Sequence, residues 1–101
     1  MNVYNCVGLG IIVLDHLITV ENYPVSNSKN IIASHSQQGG GPVPTALAVL
    51  GKLGKRTSLI AKLDDDHQAD YLVNELSEFH VNTDHIVHDE QIDTPEAFVI
   101  V

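Results

Sequence analysis

Residues 39–66, GGGPVPTALAVLGKLGKRTSLIAKLDDD, decide the fold class. Ala46, Leu47, Leu50 and Leu53 recur at the spacing of one apolar helix face. Pro42 and Pro44 fall in the first turn, where proline is tolerated because those amides have no intrahelical acceptor. Gly54 is well suited to ending the helix. Residues 57–63, carrying Leu59, Ile60, Ala61 and Leu63, read as a second buried strand. Asp64, Asp65 and Asp66 suit a second helix start, as caps and as charges against the dipole, and Leu72, Leu76 and Phe79 mark its apolar face. A short strand at 85–87, a polar loop at 88–93 and a last strand at 97–101 complete the order. Helices and strands in alternation join by right-handed crossovers, so an α/β fold with a parallel or mostly parallel sheet is expected.

Upstream, residues 3–14 are rich in Val and Ile and read as one buried central strand, followed by a short strand at 17–20. Pro24, Ser26, Asn27 and Ser28 supply turn chemistry. Residues 30–37 then resume with Ile31 and Ile32 before Ala33, Ser34, His35 and Ser36. Two half-polar strands around a turn make a hairpin exposed on one face.

The chain of 101 residues, 44% hydrophobic and 18% charged, is one small domain or a piece of a larger one. Its longest apolar run, residues 6–14, is stopped by Asp15 and is too short for a membrane span. The first basic residue is Lys29, so a secretory leader is not expected. Five basic against thirteen acidic residues give a net charge of -8, which argues against nucleic acid as a partner. The single cysteine, Cys6, reads as a small buried hydrophobe in a reducing, cytoplasmic setting.

Gly8-Leu9-Gly10 lacks the third glycine of a dinucleotide fingerprint, and Gly51-Lys52 lacks the glycine loop of a phosphate-binding turn. The six histidines show no metal-ligand spacing and are expected at the surface. Helix capping explains Asp64–Asp66 without a magnesium ion. Gly39-Gly40-Gly41-Pro42 is more informative, since three glycines let a ligand approach the backbone at a helix start, although a tight turn alone explains them too. Asp15 falls at the expected carboxyl end of the first buried strand, where open α/β sheets hold ligands, or simply terminates that strand.

Taken in order, Val7-Gly8-Leu9-Gly10 through Asp15, Tyr23-Pro24, Gly39-Gly40-Gly41-Pro42, Leu53-Gly54, the strand end from Ala61 to Asp66, Val81-Asn82-Thr83 and Thr94-Pro95-Glu96-Ala97 resemble the N-terminal part of the PfkB, or ribokinase-like, carbohydrate kinases. Ala69-Asp70-Tyr71-Leu72-Val73 and Asp93-Thr94-Pro95 look most like ketohexokinase-type members. The resemblance implies a three-layer α/β fold with a β-sheet lid, here residues 17–20 and 30–38, that closes over a sugar. It implies phosphoryl transfer from magnesium-bound ATP to a sugar hydroxyl. Asp15 would accept hydrogen bonds from the sugar, Gly40 and Gly41 would let it lie against the backbone, and Thr45 stands where the family usually has Asn, too short to reproduce that amide's donor and acceptor. The family's catalytic aspartate, Gly-Ala-Gly-Asp anion hole and nucleotide site belong to its C-terminal half. This chain is therefore expected to be the N-terminal portion of a longer kinase, without catalytic base, nucleotide site or metal site, and inactive alone. Pairing through lids implies a homodimer. The rival reading is a non-catalytic sugar-binding or interaction module of the same fold.

Overall fold

The computed structural model describes residues 3–101. In chain order the elements are β1 (Cys6–Leu9), β2 (Val13–Val20), β3 (Ile32–Gly40), α1 (Pro42–Lys52), β4 (Thr57–Leu63), α2 (His67–Glu78), β5 (Val81–Asn82), β6 (Ile86–His88) and β7 (Glu96–Ile100). They form two sheets.

In the body sheet, β4 is flanked by β1 and β5 while β6 pairs its carboxyl-terminal half, and every pairing is parallel, as the alternation of elements required. Leu59, Ala61 and Leu63 of β4 share one core with Leu47 of α1 and with Ala69, Leu72 and Leu76 of α2. The opposite face of the sheet leaves Val7, Leu9, Ile60 and Val87 exposed. Among the described residues, two of the three expected layers are thus present: the sheet and one layer of helices.

Both helices end as their sequences direct. Asp66 Oδ1 accepts the Ala69 N–H at 2.8 Å and caps α2. Beyond α1, Gly54 turns the chain at φ 90°, and Lys55 N–H returns to Leu50 O at 3.0 Å.

The second sheet is the lid, with β2 between β3 (antiparallel) and β7 (parallel). Its projection from the body gives a molecule of 56 × 33 × 18 Å and a radius of gyration of 15.8 Å. A compact domain of this length would have a radius of about 13 Å.

Several expectations require correction. The single central strand over 3–14 is instead β1 and the start of β2, in different sheets, with Gly10, Ile11 and the buried Ile12 carrying the chain between them. Asp15 does not end a strand. It is the third residue of β2, which continues because Gln38 and Gln37 lie across from Asp15 and His16. The lid has three strands, since β7 pairs along β2 from Leu14 to Ile18. Leu17 and Ile18, neighbours on β2, face opposite sides of the lid. β5 adds a short strand absent from the sequence reading, and Cys6 is half-buried.

The expectation that every histidine lies at the surface fails at His16. Its ring stacks between His35, 5.2 Å away at 18°, and Phe98, 4.4 Å away at 10°. Nε2 donates to Glu96 Oε1 at 2.8 Å, and His35 Nε2 supplies Nδ1 at 3.0 Å. Stacking and two satisfied ring nitrogens let a polar ring be buried at the root of the lid.

Candidate functional site

The end of β3 and the start of α1 form the turn predicted from Gly39 to Pro42, and the neighbours of these glycines explain all three. A Cβ on Gly39 would overlap Glu75 Oε1, and one on Gly40 would overlap Asp15 Oδ2. Gly41 has φ 104° and lies against Ile11 O. Two consecutive glycines therefore accommodate two carboxylates, and the third reverses the chain into the helix.

Asp15, Gly40, Gly41 and Thr45 line one cavity of about 750 Å³. Ile12, Pro44, Ala48 and Leu72 give it apolar walls, and Glu75 and Lys52 add charge. All four residues singled out in the sequence are thus brought together. Asp15 is half-buried, Gly40 buried, and Thr45 exposed, with its N–H on Gly41 O at 3.1 Å. Among the described residues the Thr45 hydroxyl has no hydrogen-bond partner, so it is available to a ligand.

The α1 terminus differs from the anion site a helix start ordinarily provides. Pro42 and Pro44 remove two of its first N–H groups, and that of Thr45 already bonds Gly41 O. Poor in free donors and beside the Asp15 carboxylate, this end of the cavity suits a neutral polyhydroxylated ligand better than a phosphate.

The sequence reading missed Glu75 and Tyr71. Gly39 N–H donates to Glu75 Oε1 at 2.9 Å, and the Tyr71 hydroxyl lies 3.0 Å from Gln37 O and 3.3 Å from Glu75 Oε2. Both residues flank the apolar stripe of α2, one position before Leu72 and Leu76. That register was the available signal. Burial, and the Glu75 carboxylate beside it, push the Tyr71 hydroxyl above its ordinary pKa and keep it protonated.

The acidic run from Asp64 to Asp66 is occupied with the backbone. Asp64 Oδ1 accepts the Asp65 N–H at 2.7 Å, and Asp66 Oδ1 holds the α2 cap. Among the described residues no group of three or more His, Cys, Asp or Glu side chains is placed to hold a metal ion.

Residues 5–101 match the pfkB family of carbohydrate kinases. The chain is 33% identical to the ketohexokinase of Mus musculus over 96 residues, 95% of this chain and 32% of that protein. A protein of Pyrococcus horikoshii described as an uncharacterized sugar kinase is 36% identical over 91 residues, 90% of this chain and 28% of that protein. Its crystal structure in complex with ATP is similar over 94% of this chain and 30% of that one, with a TM-score of 0.77 at 26% identity. The ribokinase of Cryptococcus neoformans, solved in complex with ADP, shares the fold over 97% of this chain and 31% of that one, with a TM-score of 0.82 at 14% identity. The chain spans about a third of the length of these curated relatives.

Proposed function

The chain belongs to the pfkB family of carbohydrate kinases, and from that premise we propose that the full-length protein transfers the γ-phosphoryl group of ATP to a sugar hydroxyl. This chain supplies one wall of the acceptor site and the lid over it. The carrying observation is the Asp15 carboxylate set against Gly40 in a cavity shared with Gly41 and Thr45. Asp15 accepts hydrogen bonds from two sugar hydroxyls, the glycine turn admits the sugar to the backbone, and Thr45 narrows the acceptor range relative to enzymes with Asn there. ATP binding, with its magnesium ion, and the base that takes the hydroxyl proton are assigned to the rest of the protein, and the chain alone is inactive in this reading.

The lid offers a surface for a second copy. Ile18, Val20, Ile32 and Ile100 share one face of it. Ile32 and Ile100 are exposed there, which supports a homodimer formed lid to lid. The free, half-buried Cys6 fits a cytoplasmic setting. Among the described residues no helix is long and apolar enough to cross a membrane.

Coupled ADP release from the full-length protein across a panel of sugars tests the reading, with calorimetry on Asp15→Asn. Sugar affinity is expected to fall about tenfold or more, since charge-assisted hydrogen bonds are worth roughly 1.5–3 kcal/mol. Unchanged affinity would remove Asp15 from the site, and sugar binding without turnover would make the protein the non-catalytic module instead.

A further inference from the structure

β3 is an edge strand of the lid sheet, hydrogen-bonded to β2 on one side only. Leu14 sends its N–H toward β7, to Pro95 O at 2.8 Å, so Gly39 opposite it turns its own N–H away from β2. An outward amide at a cavity wall would ordinarily be unpaired. Here it donates to Glu75, and two residues earlier Gln37 C=O accepts from Tyr71. Residues two apart on a strand and four apart on a helix are both separated by about 6–7 Å. A single turn of α2 thus stands in for a neighbouring strand. Between the two gripped residues lies Gln38, the partner of Asp15 across the sheet.

Resting on the acceptor-site reading, we propose that Tyr71 and Glu75 are positioning residues for it, a two-point clamp on the edge of β3 that fixes Asp15 and the glycine turn. Glu75 Oε1 accepts the Gly39 N–H, and Oε2 lies 3.3 Å from the Tyr71 hydroxyl, whose one proton it shares with the nearer Gln37 O. The carboxylate is therefore committed to the backbone, whereas Asp15 hydrogen-bonds no other described side chain. Apart from its last two residues β3 is exposed, so the clamp marks where the lid stops being part of the body.

Glu75→Ala, Glu75→Gln and Tyr71→Phe in the full-length protein test the clamp through amide exchange and steady-state kinetics. In Glu75→Ala the Gly39 amide should exchange about tenfold faster or more, and the sugar KM should rise about tenfold, because a charge-assisted bond is lost. The value of kcat should stay within about twofold, as expected when binding geometry rather than the reacting groups is disturbed. Glu75→Gln should recover part of both values, since its neutral amide oxygen still accepts from Gly39, without the charge assistance, and its NH2 group donates to the Tyr71 oxygen. Tyr71→Phe should lie between, with amide protection in β4 unchanged in every variant.

Wild-type exchange and KM in Glu75→Ala would overturn the proposal, and so would acceleration spread equally through β4 and α2. If the wild type phosphorylates no sugar, the kinase reading falls, while faster Gly39 exchange still supports the clamp. Should Glu75→Ala fail to fold, Tyr71→Phe decides the matter by the same two readouts.

Discussion

β4 of the body and β3 of the lid are strands of comparable length in opposite surroundings. Five of the seven residues of β4 are buried, and seven of the nine of β3 are exposed. β4 is held by apolar side chains that two helices cover, so the body carries most of its own stabilisation. β3 has little to bury. It is held by its ladder to β2, by side-chain pairs such as Thr19 with Ser34, and by the contacts at its root. A projecting sheet held this way has its position set where it leaves the body. There His16, Tyr71 and Glu75 supply the hydrogen bonds that burial does not.

The largest expected effect sharpens that contrast. Leu72 is 1% exposed and Ile31 is 90% exposed. Leu72→Ala should cost roughly 3 kcal/mol in urea unfolding of the full-length protein, and Ile31→Ala less than about 0.5 kcal/mol. Equal costs would mean that the lid tip is packed as the body is. The second effect lies on the exposed lid face. Replacing Ile18 and Ile32 together with Lys should shift the light-scattering mass from dimer toward monomer, weakening association at least tenfold, about 1.4 kcal/mol. A wild type that is already monomeric at high concentration breaks this prediction.

The smallest effect concerns pH at the root. Burial and Glu75 raise the Tyr71 pKa above its ordinary 10.0. A group raised on folding contributes stability fully present below its unfolded value and lost as pH climbs through the folded one. The grip of Tyr71 on Gln37 should therefore persist through neutral pH and release only in strong alkali. A difference titration of tyrosinate absorbance, wild type against Tyr71→Phe, should place Tyr71 later than a free tyrosine. An ordinary midpoint would show that the clamp does not shelter it.

The sequence was legible where neighbours along the chain decide the outcome. The extent of α1, the Asp66 cap, β4 and the turn after Gly39 all follow from local periodicity, proline and glycine geometry, or a cap three residues from its donor. The stripe read in α1 is buried only at Leu47: Ala46 and Leu53 are exposed, and Pro44 and Gly51 complete the buried face. The parallel body sheet also agrees with that reading. Tertiary structure alone decided which sheet took β7, why His16 is buried and which carboxylates stand over Gly39 and Gly40. These outcomes depend on partners far apart in the chain, 80 residues for His16 with Glu96 and 36 for Gly39 with Glu75. A carboxylate on a helix looks the same in sequence whether it faces water or a strand edge. Only the crossing of α2 over the root of the lid turns Glu75 into a partner for a backbone amide.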